Sequence, residues 1–432
     1  MQSAHCCVFS SYLLLGAISP ILSLHNSFHG REVNAVEFVR LSRSTSQLLS
    51  ANHPVVMVTG GEDTMLKVTG HDFAGYGGGQ GLGIGQHTLH GHPSAIKALC
   101  CTHIDGRWPV VISVGAKEAV MAWQLSTSEE MGSLRQFSSK LVCRWGPRRK
   151  SDLDEEDIDH RYHAVTAFPQ RSINLDATAD HIVAAGGTGT AIDLWSFDEE
   201  RGKIETEASL VGHGGLVLCL AHCHLQVQSG KMVAFIACGT TSGSVYIWEL
   251  SGVLNNRLAE SSPTFVVGGA HQSGVNCLCM MSAHPNQLTI ITGGDDQSIH
   301  VSTLSVVTVA NDETSLAAYS SCRHDLAHVS GLKGMALVRG TSSSVLFSTS
   351  LDCRLHVWRV STRPVVPESN SGEDDPALGV HLYKLRSDVL SVADVSALAA
   401  CKQGTGGNVD VAVVGHGLQA FRWISQDSKM VD

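Results

Sequence analysis

A chain of 432 residues that is 43% hydrophobic can bury a large core and fits two or three ordinary domains or one large repeat domain. With 43 glycines and only 16% charged residues it suits a turn-rich β protein better than a coiled coil. The formal net charge of -10 argues against a broad nucleic-acid-binding surface, while leaving room for a local basic patch.

The first predicted element is an apolar stretch, Tyr12 to Leu24. It resembles a signal sequence, but no basic segment precedes it and Pro20 interrupts it. It is also too short and too broken to span a bilayer. The expectation is an edge strand; the alternative is a targeting signal.

From residue 25 onward one pattern recurs. An apolar run ("PVVMV", "PVVIS", "MVAFIA", "LTIIT", "SVLFS") is followed by a small-residue turn and an alternating run. Aligned on their last residues, the units are "GGEDTMLKVT" to Thr69, "SVGAKEAVMAW" to Trp123, "AAGGTGTAIDLW" to Trp195 and "CGTTSGSVYIW" to Trp248. They continue with "TGGDDQSIHVS" to Ser302, "STSLDCRLHVW" to Trp358 and "VVGHGLQAFRW" to Trp423. Apolar runs bounded by Gly, Ser and Asp read as antiparallel strands joined by hairpins. A further strand precedes most pairs, often introduced by a His-containing turn at His29, His92, His213 or His271. Six residues before the aligned end stand Asp63, Asp296 and Asp352, where other units hold Lys117, Gly189, Ser242 and Gly417. An Asp in such a turn can accept bonds from turn N–H groups and from the opening His. His29 with Asp63 and His271 with Asp296 are the expected pairs. Gly60 and Gly61 are expected to permit the tight backbone of the first turn.

A His turn, two strands, an Asp turn and a strand ending in Trp form the WD40 pattern. Seven units predict an all-β, seven-bladed WD40 propeller over 25–432. Residues 1–24 are expected to supply the strand that closes the last blade and so remove an exposed edge.

Three insertions interrupt the period, near 71–87, 144–160 and 361–378. The first, "AGYGGGQGLGIGQ", lacks either phosphate-loop spacing. The second sets Arg144, Arg148, Arg149 and Lys150 against an acidic run, Asp152 to Asp159. It reads as a solvated loop, with docking of RNA or a partner as the sharper alternative. The third reads as a disordered surface loop.

Little here carries catalytic chemistry. The Asp-turn carboxylates sit one per repeat and do not pair on a substrate. No G-x-S-x-G, H-E-x-x-H or Walker motif occurs. His87, His90 and His92 lie close in sequence without a matching ligand cluster, so no metal and no cofactor are expected. The thirteen cysteines are odd in number and form no C-x-x-C. They read as small apolar residues of a reduced protein, with Cys219, Cys223, Cys277 and Cys279 packed in the core.

"HGREVNAVEF" with "VTGGEDTMLKV", then "HRYHAVTAF" and "AHQSGVNCL", resemble the C-terminal part of the WD repeat-containing protein six family. That family supplies the accessory subunit of the tRNA wobble-position ribose 2′-O-methyltransferase. The resemblance implies a non-catalytic cytoplasmic scaffold for an FtsJ-like, S-adenosylmethionine-dependent methyltransferase, with tRNA as a further partner and no membrane association. Arg144, Arg148, Arg149, Lys150, Arg161 and Tyr162 are the candidate RNA or partner surface, through phosphate contacts and base stacking. The alternative is a general protein-interaction propeller in signalling or trafficking.

Overall fold

The computed structural model describes residues 17–24, 29–43, 55–70, 86–117, 119–127, 137–145, 161–172, 179–227, 230–255, 259–284, 286–308, 314–340, 344–364, 378–403 and 408–424. Their strands form seven sheets in chain order around one axis, antiparallel except for one short added strand, a β-propeller. The innermost strands are Val33–Arg40, Ile96–Thr102, Tyr162–Pro169, Val217–Gln226, Val275–His284, Leu332–Val338 and Ala393–Gln403. Each packs on the next, and Ala393–Gln403 packs back on Val33–Arg40, so the ring is closed. The sheets are called blades 1 to 7 in that order.

Why the apolar runs are continuous follows from this arrangement. The second strand of a blade is covered on both faces by the neighbouring blades, so alternation gives way to unbroken burial. Val55–Gly61, Val110–Gly115 and His181–Gly187 are buried at every position. Outer strands see solvent and mix classes, as Lys203–Val211 does. Among the described residues seven apolar clusters fill the ring; one joins blades 7 and 1 through Val33, Phe38, Met57, Ala412 and Leu418. Burying each large aliphatic side chain contributes roughly 1.5–3 kcal/mol.

Blade 7 is completed from the N-terminal side. Ala17–Leu24 pairs antiparallel with Leu418–Ile424, while Ala393–Gln403 pairs with the first half of Asn408–Ile424. That long strand must fold back on itself. Arg422 Nε donates to Asp410 Oδ1 at 2.8 Å, whereas twelve residues of straight strand would put them about 40 Å apart. Gly417, at φ +123°, lies at the reversal.

Two insertions depart from the sequence reading. Ser361–Pro364 and Leu378–Gly379 belong to paired strands of blade 6, and Gln86 and His87 belong to the outer strand of blade 1. Arg144 likewise belongs to a strand, Phe137–Trp145. The Gly-rich stretch 74–85 and the acidic run 152–159 lie outside the described residues. Between the last two strands of blade 4, the short helix Leu250–Asn255 is followed by Glu260–Ser261, which adds in parallel to the outer strand of blade 3. No helix among the described residues is long and apolar enough to cross a membrane.

Candidate functional site

Blade 6 holds the most complete polar network. His328 Nδ1 lies 2.9 Å from Asp352 Oδ2, and His328 Nε2 lies 2.8 Å from Ser348 Oγ. Trp358 Nε1 donates to the same Ser348 oxygen at 2.8 Å. A carboxylate only accepts, so Nδ1 carries the proton, Nε2 accepts from the serine, and the serine accepts from Trp358. Burial, the largest influence, pushes the His328 pKa down and keeps the ring neutral, although Asp352 pulls the other way. For Asp352, burial raises the pKa, but the Val329 N–H and His328 together outweigh it and hold the carboxyl below its usual range.

This has the connectivity of a Ser–His–Asp triad without its access. Ser348 is fully buried and its oxygen faces both His328 and Trp358, so no carbonyl can reach it. The network instead ties the turn between the second and third strands to the turn that opens the blade.

Blades 1 and 5 repeat it without the tryptophan. His29 Nδ1 is 2.8 Å from Asp63 Oδ1 and His29 Nε2 is 2.9 Å from Thr59 Oγ1. His271 Nδ1 is 2.8 Å from Asp296 Oδ1 and His271 Nε2 is 2.9 Å from Thr292 Oγ1. Burial raises the Asp296 pKa, yet the Gln272 N–H, His271 and Ser298 together drive it far below the usual range. Arg323 Nη2 adds a bond to Asp296 at 2.8 Å. Thr69 and Ser302 occupy the tryptophan position and are buried.

Blade 2 lacks the acid. His92 Nε2 meets Ser113 Oγ at 2.7 Å and Trp123 Nε1 donates to that oxygen at 2.9 Å, but Lys117 stands at the Asp position. His92 Nδ1 is buried with no hydrogen-bond partner among the described residues. Burial first, and then the Arg144 charge, lower its pKa to about 4. In blade 4, His213 Nδ1 turns to the Gly215 carbonyl at 3.2 Å. Trp248 Nε1 donates to the Ser261 carbonyl, securing the strand laid across blade 3. Trp195 and Trp423 are buried, Trp195 edge-on to Tyr162 and Trp423 edge-on to Phe347.

The glycine pair of "VTGGEDT" serves a purpose different from the one its sequence suggests. Neither Gly60 nor Gly61 has positive φ; Thr64 takes the left-handed conformation instead, at φ +68°. A Cβ on Gly60 would stand 2.5 Å from Ile96 Cγ2 of blade 2, and one on Gly61 2.8 Å from His29 Nδ1. The first glycine lets the next blade approach and the second makes room for the histidine. Gly293 and Gly294 act likewise toward Leu332 and His271.

His328 is the functional residue of these turns that sequence reading missed. Its signal was present: "AHVSGL" repeats the "AHQSGV" that opens blade 5.

The candidate partner surface is divided by the structure. Arg144 and Arg161 are exposed, on either side of the 146–160 connection. Both Lys97 and Arg161 act, after burial, to lower the His163 pKa, so a basic group forms at the mouths of blades 2 and 3. Tyr162 does not belong to it. Its ring is buried, with its hydroxyl donating to Asp193 Oδ2 at 2.6 Å, so it cannot stack on a base. Arg148, Arg149 and Lys150 lie outside the described residues.

The metal and thiol clusters also disperse. His87 Nε2 bonds Ser139 Oγ on blade 2, away from the Ser113 partner of His92. Cys223 and Cys277 are buried, while Cys219 and Cys279 are partly so, and burial pushes the thiols of Cys219 and Cys279 up to about 12. Such thiols are poor nucleophiles and poor ligands.

Residues 262–301, which hold His271, Thr292 and Asp296, match the family model described as WD domain, G-beta repeat. The whole ring superposes on Sqt1 of Saccharomyces cerevisiae with a TM-score of 0.52, at 10% identity, covering 93% of this chain and 98% of that one. The chain is a WD40 propeller. Its sequence is similar to the tRNA (34-2'-O)-methyltransferase regulator WDR6 of Bos taurus, 22% identical over 94% of the chain. The propeller spans 39% of the length of that relative. A shorter similarity, 24% identity over 46% of this chain and 22% of the relative, links it to Elongator complex protein 2 of Mus musculus.

Proposed function

We infer that this propeller is a non-catalytic scaffold that binds an FtsJ-like, S-adenosylmethionine-dependent methyltransferase and supports 2′-O-methylation of the tRNA wobble nucleotide. The observation that carries the reading is the similarity to the WDR6 regulators, which extends over nearly the whole chain rather than over one repeat. The polar networks support it from the other side: each Ser/Thr–His–Asp group is consumed in joining one turn to the next. The exposed Arg144 and Arg161 are the residues best placed to meet a phosphate backbone. This reading places the protein in the cytoplasm, where the substrate tRNA is handled.

The test is disruption of the gene followed by profiling of ribose methylation at tRNA position 34, alongside purification of the tagged chain. The expected outcome is loss of that methyl group together with co-purification of the methyltransferase. Unchanged methylation would leave only an interaction propeller of another pathway.

A further inference from the structure

The upper rim of blade 6 carries side chains that the propeller does not use. Leu326, Val329, Leu351 and Val389 are 75%, 79%, 44% and 69% exposed. The backbone gathers them. Val329 N donates to Asp352 Oδ2, Leu351 N donates to the Gly331 carbonyl, and Val389 sits opposite Arg354 in the strand register. Leu326 opens the same turn two residues before His328 and holds φ +52°, a conformation that a leucine adopts at a cost.

The other blades supply an internal control, because the same template is built seven times. Where blade 6 has Val329, immediately after the opening histidine, the other blades with that histidine have Gly30, Pro93, Gly214 and Gln272. At the position of Leu351, just before the Asp, they have Glu62, Ala116, Thr188, Thr241, Asp295 and His416. The turns therefore do not require aliphatic side chains there. Single exposed aliphatics need no explanation, but four on one rim mark an interaction surface.

The surrounding charges narrow the partner. Arg323 is paired with Asp296 and Asp325, and Arg386 with Asp388. Arg354, between Leu351 and Val389, instead donates to Ser387 Oγ, and no carboxylate ion pair with it is found among the described residues. A polyanion would find one cation amid aliphatics; a protein segment with apolar anchors and one carboxylate would find both its contacts.

We propose that this rim is the docking surface for the methyltransferase, which engages it through aliphatic or aromatic side chains flanking an acidic residue that meets Arg354. The proposal rests on the scaffold reading above. The test uses the full chain and the purified FtsJ-like methyltransferase of the same organism, with affinity measured by titration calorimetry. One variant combines Leu326→Ser, Val329→Ser and Leu351→Ser; a second is Arg354→Glu. All four side chains are exposed, so the melting temperature should hold, and it is measured for each. The expected result is wild-type binding that weakens at least tenfold in each variant. Lys140→Glu, at an exposed position on the outer strand of blade 2, should leave it unchanged. Wild-type binding that both variants retain overturns the rim while sparing the scaffold reading. Absence of wild-type binding overturns both. Self-association of the wild-type chain in light scattering, lost in the triple variant, would make a second copy the occupant and overturn the proposal.

Discussion

Blade 2 is a polar network with one member missing, and restoring it should stabilise the fold. Ser113, His92 and Trp123 are already joined as their counterparts are in blade 6. The turn backbone is also in place: Gly115 N donates to the Ala119 carbonyl and Ala116 N to the Ala95 carbonyl, as Gly294 and Asp295 do to Ser298 and Gly274. Lys117→Asp should therefore bring a carboxylate to His92 Nδ1. A buried polar atom left without a partner costs about 1–3 kcal/mol, and burying the carboxylate takes back part of the gain from satisfying it, leaving about 1–2 kcal/mol. In a chain of this size that raises the melting midpoint by roughly 1–2 °C. Calorimetry gives the midpoint, and NMR titration of the His92 ring gives a second readout. The new carboxylate should raise the His92 pKa from its present value of about 4. A lower midpoint with an unmoved His92 pKa would refute the view that this ring nitrogen can take an acid as its partner.

Three further outcomes follow from the same geometry. Asp63→Ala removes the partner of a buried His29 and should cost about 1–3 kcal/mol in chemical denaturation; partner binding lost at full stability would contradict a structural role. Gly60→Ala drives a methyl group into Ile96, whose Cβ is only 3.1 Å away and cannot swing aside, at a cost of about 1–3 kcal/mol. A neutral effect on the denaturation midpoint would mean the blades slide apart freely. Acidification acts through histidines that burial holds down: His92 at about 4, and His222 and His356 at about 3. Between those values and the unfolded value of about 6.5 the unfolded chain binds more protons. Their contribution is thus complete above pH 6.5 and fades as pH falls toward 4. Asp296 and Asp352, whose pKa values are depressed, stay ionised through that window. A melting temperature that is flat from pH 7 to 4.5 would speak against neutral buried rings.

The repeat could be read from the sequence because its signals are local. An apolar run, a turn and a terminal Trp fall within one hairpin, and their recurrence marks the blades. What escaped depends on contacts between hairpins. The need for Gly60 is set by Ile96 in the next blade, so a glycine pair that looks like a flexible turn is a packing notch. Tyr162 follows a charged stretch and looks exposed, yet its hydroxyl partner, Asp193, lies two strands further along. His328 escaped for a different reason. It sits in "SCRHDLAHVSGL", where two histidines compete for the turn position, and only the match to "AHQSGV" separates them. The basic group at blades 2 and 3 was half legible, since Arg161 is exposed as a charge run suggests and His163 lies two residues on, while Lys97 reaches them only by adjacency of inner strands.

The pairing of Ala17–Leu24 with Leu418–Ile424 also sets a clock. At about 5–20 residues per second, the ribosome delivers the second strand tens of seconds after the first. Through that interval the early strand has no sheet to join, while blades 1 to 6 can assemble behind it. Closing blade 7 therefore waits on a meeting of two segments far apart in time of synthesis. Slowed translation of the late blades should lengthen the life of an unclosed ring and its tendency to pair with strangers.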